Sequence, residues 1–99
     1  MLAAFSITPL GAGASVGEAV ADAVRIVRES GLPNETNAMF TNIEGEWDDV
    51  MPVIRACIDR VLVDAPRASV VIKIDERPGH ADRLQGKVET IENHLRDLA

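Results

Sequence analysis

Tyrosine is absent from this chain of 99 residues, and its aromatic side chains are Phe5, Phe40 and Trp47. With Phe5 assigned to the core, Phe40 and Trp47 are the candidate stacking surfaces for a flat ring, with core or interface packing as the alternative for both. Cationic side chains are also scarce. Ten Lys and Arg stand against sixteen Asp and Glu, giving a formal net charge of -6. Docking on a phosphate backbone is driven by cationic groups releasing counterions, so nucleic acid is not an expected partner. The acidic surplus favours solubility and is compatible with a cationic ligand.

One cysteine, Cys57, cannot close a disulfide within the chain. Its place in an apolar helical pattern suits a small buried hydrophobe, and a reducing, cytoplasmic setting is expected. Long hydrophobic runs are missing too. The stretch Met1-Leu2-Ala3-Ala4-Phe5 has no basic segment before it and is interrupted by Ser6 and Thr8, so neither a signal peptide nor a membrane span is expected. What is present is ordinary for a folded protein: 46% hydrophobic and 26% charged residues. The expectation is one domain over residues 1–99. A chain of this size buries only about 60 to 65% of the surface its unfolded form exposes, so association with other copies would help it.

Ala3, Phe5 and Ile7 alternate with Leu2, Ala4, Ser6 and Thr8, which predicts a half-buried strand over 2–8 ending at Pro9. After a glycine-containing loop, Ser15 and Glu18 have capping-box spacing at the start of a helix. Val16, Ala19, Val20, Ala23, Val24 and Val27 mark its inner face, and Gly31 and Pro33 stop it. Two short extended pieces are expected at 35–39 and 41–45. Asp48 is the expected N-cap of a second helix, with Pro52 in its first turn and Val50, Ile54, Cys57, Ile58, Val61 and Leu62 on one face. A β-branched strand spans 68–75, with Val70, Ile72 and Ile74 on one side and Ser69, Val71, Lys73 and Asp75 on the other. Leu84, Val88, Ile91, Leu95 and Leu98 then stripe a last helix. This order predicts an α+β, ferredoxin-like βαββαβ plan with a C-terminal helix added. Two helices would cover one face of a four-stranded antiparallel sheet, with the first and third strands central.

The uncovered face of such a sheet would carry Ser6, Thr8, Lys73 and Asp75. The hairpin would add Asn37 or Thr41 to them, or Asn42 and Glu44 if its parity is the other one. Gly11-Ala12-Gly13 lacks the third glycine of a dinucleotide fingerprint, because position 16 is Val16, and no Lys-Ser or Lys-Thr follows to make a phosphate loop. The acids Glu44, Glu46, Asp48 and Asp49 have no His or Cys at ligand spacing, and no metal is expected. His80 and His94 read as surface residues. No nucleophile stands beside a histidine oriented by a carboxylate, and an acylphosphatase-type site would need an arginine at 9–15 that is missing. The chain is not expected to be an enzyme or to carry a cofactor.

Three stretches resemble the family of small thiamine-binding proteins: Ser6-Ile7-Thr8-Pro9-Leu10-Gly11, Thr36 to Glu46, and Ile72 to Arg77 with Gly86-Lys87-Val88-Glu89 after it. Phe40 and Asn42 depart from the pattern, which more often has a small and an apolar residue there. The resemblance implies the fold above and a homo-oligomer, dimer or tetramer, built through the sheets. It also implies non-catalytic binding of thiamine or hydroxymethylpyrimidine on the open sheet face near a subunit interface. Carried over by position, the pocket residues are Ser6, Asn37, Thr41, Glu44, Lys73 and Asp75, with Met39 or Phe40 against the ring. Glu44 or Asp75 would face the thiazolium cation. The alternative is an oligomeric interaction domain without a small-molecule ligand.

Overall fold

The alternation that begins at Leu2 becomes a nine-residue strand, β1 (Leu2–Leu10), in a computed structural model that describes residues 1–11, 16–80 and 83–98. It is followed by α1 (Val16–Glu29), β2 (Asn34–Thr36), β3 (Thr41–Glu44), α2 (Trp47–Asp64), β4 (Arg67–Asp75) and α3 (Arg83–Leu98). The strands form one antiparallel sheet in the order β2-β3-β1-β4, the ferredoxin-like α+β arrangement with β1 and β3 in the middle. Ala3, Phe5 and Ile43 point from the sheet into a core completed by Ala23 and Val27 of α1 and by Val50, Ile54, Cys57 and Val61 of α2. Each large aliphatic side chain buried there contributes about 1.5–3 kcal/mol relative to exposure. Cys57 behaves as the small hydrophobe expected of it. It is fully buried, its thiol donates to the Ala23 carbonyl at 3.3 Å, and burial pushes its pKa from 9.0 to about 11.

Several local expectations change. The first strand does not stop at Pro9, which sits opposite Ala68 of β4. A proline is tolerated in a strand where one edge lacks a partner, and β1 has no β3 partner beyond Phe5. The hairpin strands are shorter than 35–39 and 41–45 because Asn37 turns the chain at once. The N-cap of α2 is Glu46, not Asp48, and Pro52 lies in the second turn, where its missing amide removes one helical hydrogen bond. Asp48 and Asp49 instead sit in the first turn, favourably placed against the helix dipole. The early start is possible because Gly45 lets the chain pass close to α2: a Cβ there would lie 3.2 Å from Val50 and 3.3 Å from Leu32. The capping pair of Ser15 and Glu18 and the loop glycine Gly13 involve positions outside the described residues.

The C-terminal part packs differently from the rest. The stripe of α3 is present, yet Val88, Ile91, Leu95 and Leu98 are 52 to 84% exposed. Its first turns approach the sheet near β3 and Lys87 reaches Asp75, but the helix then leaves the body, which extends 50 Å along its longest axis. The radius of gyration, 15.4 Å, exceeds the roughly 13 Å of a compact chain of this length.

Candidate functional site

β1 is paired along its whole length with β4, from Leu2↔Asp75 to Leu10↔Arg67, but with β3 only from Leu2↔Glu44 to Phe5↔Thr41. From Ser6 onward its other edge has no strand partner among the described residues. The turn between β2 and β3 and the inner face of α1 close over this gap and leave an open groove of about 300 Å³. Ser6, Ile7 and Thr8 form its floor, Val20 and Val24 one wall, and Thr36 to Thr41 the other. A small apolar recess of about 50 Å³ adjoins its inner end, between Phe5, Ala23, Val27 and Val61.

Asn37 shapes the second wall. Its amide donates to the Phe40 carbonyl at 2.9 Å, closing the turn, and its side-chain Oδ1 accepts from the amides of Met39 and Phe40, both at 2.9 Å. The side chain thus imitates a backbone turn and holds Met39 and Phe40 at the groove mouth. Every described residue lining the groove is neutral: apolar side chains supply the surface, and Ser6, Thr8, Thr36, Asn37 and Thr41 supply donors and acceptors.

A second concavity lies at the other end of β1. It encloses about 600 Å³ between Leu2, Ala4, Asn42, Lys73, Ile74, Asp75, Glu76 and Lys87. The register explains the grouping, since Ala4 lies between Asn42 and Lys73, and Leu2 between Glu44 and Asp75. Lys87 of α3 forms an ion pair with Asp75. Glu44 belongs to this face and is only 7% exposed.

The seven residues expected to share a pocket are therefore divided. Ser6, Asn37, Met39 and Thr41 line the groove, whereas Lys73 and Asp75 line the second cavity and Glu44 stands beside it. Strand parity separates Thr41 from Glu44, whereas Ser6, which shares the parity of Leu2 and Ala4, is separated from Lys73 and Asp75 by its place along β1 beyond the end of the β3 pairing. Thr41 is opposite Phe5 and turns toward the helices, so Asn42 and Glu44 take the open face. Asn42 and Lys87 are additions to that face. The lone apolar residue of β3, Ile43, carries the signal for Asn42, because Ile43 has to point into the core. Lys87 has no such local signal, since it arrives through the path of α3. Phe40 is half-buried at the groove, and Trp47 is exposed away from both cavities. Among the described residues there is no cluster of His, Cys, Asp and Glu able to hold a metal, and no helix is long and apolar enough to cross a membrane.

The family model for thiamine-binding proteins matches residues 3–92. The chain belongs to this family. A relative matches it over most of its length: UPF0045 protein Mb1933 of Mycobacterium bovis is 54% identical over 96 residues, covering 96% of this chain and 94% of that one. The crystal structure of protein MJ1052 of Methanocaldococcus jannaschii superimposes with a TM-score of 0.81 at 36% identity, over 92% of this chain and 94% of that one. A Thermotoga maritima protein named for thiamine biosynthesis or salvage shares the fold, with a TM-score of 0.76 at 17% identity over 90% and 96% of the two chains.

Proposed function

We propose that the chain is a non-catalytic binding protein that takes thiamine, or its hydroxymethylpyrimidine part, into the groove beside the unpaired edge of β1. The observation that carries this reading is the lining. A flat, neutral aminopyrimidine needs apolar surface for its faces and a few hydroxyl or amide partners for its edge. The groove offers Met39, Phe40, Val20 and Val24 for the first, and Ser6, Thr8, Asn37 and Thr41 for the second. The unpaired edge of β1 adds backbone groups that strand pairing does not use. With no carboxylate among the described lining residues, the thiazolium ring would point outward into water. The charged cavity suits this ligand less well. Its four charged groups, Lys73, Lys87, Asp75 and Glu76, would lose hydration against a neutral ring, and the apolar side chains there are Leu2, Ala4 and Ile74, with none of the aromatic or methionine surface of the groove.

Membership of a thiamine-binding family supports the ligand class. The same reading has the protein act in the cytoplasm, without a cofactor, as a homo-oligomer. Isothermal calorimetry against hydroxymethylpyrimidine, thiamine and thiamine phosphates tests it. Heat of binding is expected for the first two, with no gain in affinity from the phosphates. Absence of binding to all of them at millimolar concentration removes the proposal and leaves the ligand-free interaction domain, to which the uncovered stripe of α3 gives weight.

A further inference from the structure

Backbone hydrogen bonds fix which groups of β1 face the gap left by β3. The Gly45 amide donates to the Met1 carbonyl at 3.0 Å, one step outside the rung that sets Leu2 opposite Glu44. On the far edge of β3 the Glu44 amide donates to the Pro33 carbonyl at 3.0 Å, and the Asn37 amide to the Phe40 carbonyl at 2.9 Å. Residues of an antiparallel strand alternate between bonding toward one neighbour and toward the other. Both sets of bonds agree on the phase: Ile43 and Thr41 bond toward β1, and Met1, Ala3 and Phe5 bond toward β3. Ile7 is next in this set. It lies beyond the last rung, Phe5↔Thr41, so its N–H and C=O face the groove with no residue of β3 opposite them. Pro9, the following member, has no N–H. Ile7 therefore supplies the one β1 amide in the unpaired stretch, with its own carbonyl beside it.

The apolar recess of about 50 Å³ is displaced from this pair in a definite direction. It reaches Phe5 and Thr41, the residues of the last rung, and ends against Ala23, Val27 and Val61. It thus lies on the N–H side of Ile7, and the groove mouth at Thr8 lies on the C=O side.

We infer that the groove recognises a 2-methyl-4-aminopyrimidine as a substitute for the missing strand residue: the ring nitrogen between the methyl-bearing and amino-bearing carbons accepts from the Ile7 amide, the amino group donates to the Ile7 carbonyl, and the methyl group enters the recess. This rests on the reading that the groove takes the pyrimidine part of thiamine, and adds how the ring is oriented and what it is selected by. Only one orientation in the plane is possible, because the reverse sets donor against donor. In that orientation the methyl group, next to the accepting nitrogen, falls toward Phe5. The carbon that carries the hydroxymethyl group or the thiazolium falls toward Thr8 and water. A cytosine presents the same amino and nitrogen edge but has a carbonyl oxygen where the methyl group stands. Placed in a recess lined mainly by apolar side chains, that oxygen gives up its water at a cost.

Nuclear magnetic resonance of the whole chain, labelled with nitrogen-15, reads the contact directly. On titration with hydroxymethylpyrimidine the Ile7 amide proton is expected to move downfield and to exchange more slowly with solvent. Calorimetry with analogues reads the selectivity. The analogue without the methyl group is expected to bind about tenfold more weakly. The analogue with CH in place of the accepting nitrogen, and 5-hydroxymethylcytosine, are each expected to lose about tenfold or more. Ala23→Val narrows the recess and is expected to bring the methylated and demethylated ligands within about twofold of each other. The analogues act on the wild-type chain, so they decide even where Ala23→Val fails to fold. Binding of hydroxymethylpyrimidine with the Ile7 amide unmoved, or with hydroxymethylcytosine or the demethylated analogue equally tight, overturns the orientation and leaves the groove reading standing. A folded Ala23→Val protein that keeps the full preference for the methyl group does the same. No heat with hydroxymethylpyrimidine at millimolar concentration overturns both.

Discussion

The two concavities share β1 and little else. The groove at Ser6–Thr8 is smaller, neutral and backed by apolar side chains of α1, whereas the cavity at Leu2 and Ala4 is twice as large and charged. One strand can serve both because its partner β3 is four residues long while β1 is nine, so the groove opens where that pairing ends. At about 3.3 Å per residue the two centres are roughly 13 Å apart along the strand. Size alone would choose the charged cavity, whereas the proposed ligand, a flat ring, favours the groove. What separates the two is the match between lining chemistry and ligand.

The sharpest way to break this comparison is to fill one side of it. Val24→Phe puts an aromatic ring into the groove wall. It is expected to weaken binding of hydroxymethylpyrimidine about 100-fold in calorimetry, about 2.7 kcal/mol, and to leave the melting temperature within a few degrees. If affinity is unchanged, the ligand is elsewhere. Asn37→Ala removes the acceptor that holds the amides of Met39 and Phe40. Two hydrogen bonds worth about 1 kcal/mol each would be lost at the mouth, and affinity is expected to fall about tenfold.

Behind the groove, pH should act through Cys57, whose thiol donates to Ala23, a residue of the apolar recess. The folded thiol titrates at about 11, above its ordinary 9.0. The folded state therefore retains a proton that the unfolded state has released. Stability is at its full value below pH 9 and declines as the pH rises from 9 to 11. Thermal melts of the wild type should fall over that interval, and those of Cys57→Ala should stay flatter.

The smallest effects belong to the charged cavity. Lys73→Gln is expected to change hydroxymethylpyrimidine affinity by less than about twofold, and raising the salt from 50 to 500 mM should do no more, because exposed charges at that distance are screened. Lys87→Ala breaks its ion pair with Asp75, in which both side chains are nearly half exposed. A loss of at most about 0.5 kcal/mol in denaturant unfolding is expected. A large change in ligand affinity from either lysine would reverse the assignment of the two cavities.

Much of the architecture was legible in the residues themselves. The alternation of Ala3, Phe5 and Ile7, and the spacing of Val50, Ile54, Cys57 and Val61, state both the element and its buried side, since period and burial are local properties of a segment. The groove was not legible as a groove. It exists because two neighbouring strands differ in length, and the end of β3 is set by Asn37, whose side chain satisfies amides that a strand would have paired with its neighbour. The division of the site residues was half visible: Ile43 fixes the parity of Asn42 and Glu44, but only if 41–44 is already known to lie beside β1. Lys87 depended on the course of α3, and the exposure of Ile72 and Ile74 in β4 on how far α2 reaches across the sheet. Both are relations between distant segments, which no window of neighbouring residues contains.

The turn at residues 37–40 owes its shape to Asn37 alone among its side chains, so Ala38, Met39 and Phe40 are released from holding the fold together. Homologues with the same scaffold can thus reshape the mouth of the groove by rewriting three consecutive codons, leaving sheet and helices as they are.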